Sequence, residues 1–472
     1  MKSVYQLLLS ILFVLAVIAI GSADSRAEAI APWSRTGAHP EFYSQRGREH
    51  LVSFTAVHRD DSMTLAQVQS MSPSDRDSYR QYKVELKSLP YLFGPLTHRS
   101  IAAPQKTWTV TIQWDQVKAT ANGGVEIPFT YNGKWLIEKR FESQTSFSIP
   151  FVYNEEGLFT PDWKKCSDSA PDHQTMDFFW YFWDPARSGC DHQLNVQFQT
   201  INVAIGAETP NLALTYPEYS RMLRADGDHQ AIHTTLGFGY FEDPADPNPE
   251  TDSDPGMDGY RQTLQTVRSQ WHGILTETPI LQGEYRNAPA PQKVIGHRFT
   301  GQINGLTTTV AVVVAAGIDQ MEVFAKSFAH DHDGYFAWLG HSRVGSGFDA
   351  DRFGQMLIQD PAYFSITQDY QLIYWGGCNS YSYYTLPFFD YKAKASGGAD
   401  PLGTKNLDIL GNGFPSYFSL NSFNSVTTLK HVLDWTHPAS YQTIVGELEA
   451  QASRSGADVM VTILGDEDNP AM

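Results

Sequence analysis

Between residues 233 and 464, short apolar runs alternate with stretches of helical period, a pattern that few architectures accommodate. Residues 233–241 (HTTLGFGYF), 335–339 (YFAWL), 371–375 (QLIYW), 407–410 and 459–464 read as strands. Tyr260, Leu264, Val267, Trp271 and Leu275 recur at helical spacing, as do Ile318, Met321, Phe324 and Phe328. Residues 349–358 and two C-terminal segments read as further helices. An Asn304-Gly305 pair turns a hairpin whose second arm, 307–316, is nearly all apolar. Alternating strands and helices predict an α/β domain, a mostly parallel sheet flanked by helices on both faces.

The first half reads differently. Residues 53–96 are polar and irregular, with one expected helix, SDRDSYRQYKVELKSL. Period-two patterns follow at 107–114, 146–152 and 194–201, and 125–129 and 134–137 flank a second Asn-Gly pair, Asn132-Gly133, that predicts a hairpin. An antiparallel β-rich module over residues 30–204 is expected ahead of the α/β domain at 205–472. Before it, Lys2 precedes an apolar run from Leu7 to Ile20 and small residues at 21–23 and 27–29. This is the pattern of a signal peptide over residues 1–29, cut after Ala23 or Ala29, and it places the mature chain in the periplasm or outside the cell. No later stretch is long and apolar enough to span a membrane.

The chain has 472 residues and a formal net charge of −18, which disfavours nucleic acid or an anionic membrane as partner and biases it slightly toward basic substrates. Its three cysteines read by compartment. After export, Cys166 and Cys190 are expected to pair, pinning the aromatic run MDFFWYFWDP between them; the alternative is two buried thiols. Cys378 is then the odd thiol, the case in which reactivity is worth testing.

In parallel sheets, ligands bind outside the carboxyl ends of the strands. After YFAWL come Gly340 and His341; after QLIYW come Gly376, Gly377 and Cys378. Two successive strands thus deliver an imidazole and a thiol to one edge of the sheet. A neighbouring imidazole raises the reactive fraction of a thiol and can later protonate a leaving amine.

These two blocks, YFAWLGHS and LIYWGGCNS, resemble the caspase-fold cysteine peptidases, the group of caspases, legumains, clostripain and gingipains. The resemblance covers the C-terminal half and rests on pattern and order. It implies a caspase-like sheet, Cys378 as nucleophile, His341 as general base and acid, and backbone groups around Gly340, Ser342 and Gly377 as the oxyanion site, in an exported endopeptidase acting on protein or peptide substrates without a cofactor. The chain departs from the group in carrying Ser342 directly after the histidine, where glycine is usual. The alternative is a non-catalytic exported or envelope binding protein that kept the fold.

Two further features compete. His330, Asp331, His332 and Asp333 form a dense run of ligand types, the basis of a third reading as a metal-dependent hydrolase using His330 and His332. On the strand assignment this run lies at the opposite edge from His341. The acidic, proline-rich loop 242–258 is expected to be a solvated segment, with calcium as the alternative. The aromatic run at 178–183 is expected in the core rather than as a sugar-binding surface.

Overall fold

The computed structural model describes residues 41–168, 174–176, 179–211, 215–223, 231–241, 248, 251–281, 284–285, 294–317, 319–342 and 348–465. The leader expected over residues 1–29 lies outside them.

The strands in chain order are β1 (Glu41–Tyr43), β2 (Gly47–Asp60), β3 (Ala102–Pro104), β4 (Thr109–Ile112), β5 (Lys118–Ala119), β6 (Val125–Glu138), β7 (Ser146–Val152) and β8 (Phe198–Glu208). They continue as β9 (Ala231–Gly239), β10 (Leu275–Pro279), β11 (Val294–Ile303), β12 (Leu306–Ala315), β13 (Tyr335–Leu339), β14 (Gln371–Trp375), β15 (Leu407–Asn412) and β16 (Val461–Gly465). They form a seven-stranded and a nine-stranded sheet.

The smaller sheet runs β3-β6-β2-β8-β7, with β4 and β5 also on β6, and every pairing is antiparallel. It is the β-rich module expected before the α/β part, but its last strand, β8, runs through residue 204. The expected hairpin at Asn132-Gly133 is absent: β6 passes straight through both residues, with Asn132 opposite Ser53 and Gly133 opposite Val52 on β2. The glycine has a packing reason instead. Trp135 Nε1 donates to Tyr131 Oη at 2.8 Å, and this side-chain bridge passes over Gly133, where a Cβ would strike the phenol. Asn304-Gly305 does turn, joining β11 to β12; both residues have positive φ (51° and 82°), as a tight two-residue hairpin requires.

The larger sheet runs β1-β16-β15-β14-β13-β9-β12-β11-β10. Its five central strands, β15 to β12, are parallel. The sheet is therefore mixed, not mostly parallel as the alternation predicted. Antiparallel strands flank the centre on both sides: β16 and β1 on one, β11 and β10 on the other. The hairpin explains one flank, since a two-residue turn reverses the chain and only a crossover returns it parallel.

Alternation along the central strands sorts side chains to two faces. Tyr335, Ala337 and Leu339 of β13 pack in a cluster with Leu429 and Ile444, from the Phe418–Leu433 and Tyr441–Arg454 helices. Phe336 and Trp338 pack on the other face with Phe324, Phe353 and Phe388, from the Asp319–Ala329, Ala350–Gln359 and Thr385–Ala395 helices. Phe42, Ala103 and Leu136 join this second cluster, so residues from β1, β3 and β6 share a core with Trp375. Among the described residues, no helix is long and apolar enough to cross a membrane.

Candidate functional site

β13 and β14 are hydrogen-bonded parallel neighbours, with Trp338 opposite Trp375. Gly376 N–H extends the ladder to Trp338 O at 2.8 Å. Both chains then turn off the sheet at the same edge, bearing His341 and Cys378. Their backbones run close: a Cβ added at Gly377 would lie 3.3 Å from Gly340 O and 3.7 Å from Ser342 N. Glycine at 377 thus permits this close backbone approach, and Ser342 N lies beside it.

The imidazole of His341 packs against two phenyl rings, Phe241 at 4.1 Å and Phe418 at 5.3 Å between centroids, which lie 6.4 Å from each other. Phe241 lies just past β9, and Phe418 opens its helix. Nε2 is buried and has no hydrogen-bond partner among the described residues. Burial pushes the ring's pKa down to about 4, partly opposed by the negative charge of Asp254. At neutral pH the ring is therefore a neutral base.

Cys378 is half-buried. Its sulfur accepts the Ser416 N–H at 3.4 Å and faces Ser416 O at 3.6 Å. Burial raises the thiol pKa, and the Ser416 contact opposes the rise. No hydrogen bond joins the sulfur to the imidazole among the described residues. The sulfur rests as a thiol and the ring as a neutral imidazole rather than as an ion pair.

The turn carrying Cys378 is tied down on all sides. Asn379 adopts a left-handed backbone (φ 49°), is buried, and donates through Nδ2 to Gly413 O at 2.6 Å. The Tyr181 hydroxyl donates to Asn379 Oδ1. Ser416 Oγ lies 3.0 Å from Gly376 O and 2.8 Å from Asn421 Oδ1. Ser416 lies four residues past β15, beyond the residues directly after a strand that the sequence reading singled out. Tyr181 carried no signal either: it comes from the other sheet's insert, in the short Phe179–Phe182 helix.

That insert is pinned as expected. Cys166 and Cys190 lie at disulfide distance, with Cα atoms 4.6 Å apart. Phe179, Tyr181 and Trp183 are buried, so the described part of the aromatic run is core; Phe178 lies outside the described residues. Cys166, Cys190 and His192 lie at metal-ligand spacing. Both His192 nitrogens are already engaged, Nδ1 with Trp183 Nε1 at 3.0 Å and Nε2 with Leu158 O at 2.7 Å.

The run at 330–333 precedes β13, at the amino edge. His330 Nδ1 pairs with Asp331 at 2.6 Å, Asp331 also with Lys326 at 2.5 Å, and His332 Nδ1 lies 3.3 Å from Thr367 Oγ1. A five-residue strand, roughly 16 Å long, separates this run from His341. Of the acidic loop, residues 242–247, 249 and 250 lie outside the described residues. Its described carboxylates have protein partners: Asp252 with Tyr240 Oη, Asp254 with the Gly256 and Phe241 N–H groups, and Asp258 with Arg261.

No protein-family model matches the chain, and neither a search of curated proteins nor one of solved structures finds a match.

Proposed function

We propose that the chain is an exported cysteine endopeptidase of caspase-like fold, with Cys378 as nucleophile and His341 as general base and acid. The observation that carries this reading is the placement of an imidazole and a thiol just past the carboxyl ends of adjacent parallel strands, with Gly340 and Gly377 where the two backbones approach. His341 takes the Cys378 proton as sulfur bonds to the peptide carbonyl carbon. The same proton then goes to the amine as the carbon–nitrogen bond breaks. Water attacks the thioester with His341 as base, releasing the acid and restoring the thiol. Backbone N–H groups at this rim, that of Ser342 foremost, are the proposed donors to the tetrahedral oxyanion.

The test is hydrolysis of a peptide library together with labelling by a thiol-directed epoxide. Cys378→Ala should abolish cleavage and labelling, and His341→Ala should slow cleavage by about 10²- to 10⁴-fold. Cleavage that survives both changes rules the peptidase out. A second reading, a non-catalytic binding protein, draws on the raised thiol pKa and on the absence of a hydrogen bond between sulfur and ring. It predicts iodoacetamide modification of the folded protein with no thiolate inflection below about pH 8.

A further inference from the structure

A buried imidazolium formed against two phenyl rings is costly unless fixed negative charge stands near it. Once the thiolate has bonded to carbon, its own charge is no longer available to His341, and the protonated ring must be stabilised by something else. Asp254 is placed for this. Its Oδ1 accepts the Gly256 N–H at 2.7 Å at the head of the Pro255–Gln270 helix. Its Oδ2 accepts the Phe241 N–H at 2.8 Å, and the Phe241 ring lies 4.1 Å from the imidazole.

We propose that Asp254 is the positioning residue for His341, holding the segment whose phenyl ring covers the imidazole and setting a fixed carboxylate charge in the ring's surroundings. The assignment rests on the Cys378–His341 reading for its catalytic meaning. Asp254 comes from a different element than either partner of the dyad, at the end of the proline-rich loop that follows β9. Titratable groups on the surrounding elements include Tyr240 and Asp252, which bond to each other at 2.8 Å, Asp258 and Arg261, which pair on the Pro255–Gln270 helix, Cys378 beyond β14, and Tyr417 just ahead of Phe418. The negative charge of Asp254 opposes the effect of burial on the ring.

The test reads the His341 ring by NMR titration in the full-length protein, with iodoacetamide modification of Cys378 as a second readout. Asp254→Asn removes the charge and turns an amide N–H toward one of the two backbone donors. The His341 midpoint should move down by roughly one pH unit, and alkylation at pH 7 should slow several-fold. Phe241→Leu keeps the carboxylate and uncovers the ring, so its midpoint should move up. Simple loosening of the rim would admit water and raise the midpoint in both variants. An unchanged or raised midpoint in Asp254→Asn overturns the proposal; should that variant fail to fold, Asp254→Ser retains a helix cap and is read the same way. The titration does not depend on substrate, so a chain that cuts no peptide yet shows the downward move loses the peptidase reading and keeps the Asp254 assignment.

Discussion

Asn379 is the residue on which the candidate site is most dependent. A left-handed backbone at a non-glycine residue persists only where the surroundings hold it, and here the hold comes from three directions. Nδ2 reaches Gly413 O, N–H reaches Phe414 O at 3.3 Å, and Oδ1 accepts the Tyr181 hydroxyl. Tyr181→Phe removes one donor and leaves a buried carbonyl oxygen short of a partner. Its expected cost is about 1–3 kcal/mol in urea unfolding. Because Asn379 directly follows Cys378, the variant should also change the rate of Cys378 alkylation. Equal stability and equal alkylation in wild type and variant would show that the Tyr181 bond holds nothing. None of this was legible in the sequence. Tyr181 and Asn379 are 198 positions apart, and a tyrosine in an aromatic run carries no sign of where its hydroxyl points.

Legibility was better for whole elements, and it failed for a definite reason. β13 and β14 fall at the expected bounds because both are buried on two faces and read as unbroken apolar runs ended by glycine. The two Asn-Gly pairs show the limit of local signals. At 304–305 nothing overrides the turn propensity; at 132–133 a 14-residue strand paired on both sides does, and the glycine serves the Tyr131–Trp135 bridge. The antiparallel flank at β16 and β1 was missed because β1 pairs with β16, at the far end of the chain, whereas the Asn304-Gly305 hairpin signalled the β11 flank. The disulfide was readable from compartment and count, and its contribution can be measured. It closes a loop with a sequence separation of 24 that contains the Phe179–Phe182 helix. In a Cys378→Ala background, where no other thiol interferes, Cys166→Ser with Cys190→Ser should lower stability by about 3 kcal/mol. Urea unfolding of the two forms, with each slope fitted separately, would establish it, and a loss well under 1 kcal/mol would mean that aromatic packing alone pins the insert.

On the scale of the molecule, the smaller sheet braces the turn that carries the thiol. Glu49 on β2 is buried, pairs with Lys134 of β6 at 2.6 Å, and accepts the Thr209 hydroxyl at 2.6 Å. Its second oxygen accepts the Tyr381 hydroxyl at 2.8 Å, three residues past Cys378. One carboxylate thus ties both sheets to the candidate site. Burial raises its pKa, but Lys134 and the hydroxyl donors outweigh burial and hold it below the ordinary value of 4.5. A carboxylate depressed in the folded state adds stability that is present above its unfolded pKa and lost as pH falls through the folded one. Lys134→Met reverses the sign. Glu49 is left buried without its cation, its pKa rises above 4.5, and stability then falls as pH rises through that window. The expected loss is about 3–5 kcal/mol at pH 7, the range for stranding one partner of a buried ion pair, and much less near pH 4.5, where Glu49 can take up a proton. Glu49→Gln in the same chain should recover most of the loss at pH 7, since no charge is then stranded. Urea unfolding of the two variants at both pH values decides the matter. A Lys134→Met deficit that is the same at pH 7 and pH 4.5 would mean that the packing of the lysine stem, not the pairing of its charge, joins the two sheets behind Cys378.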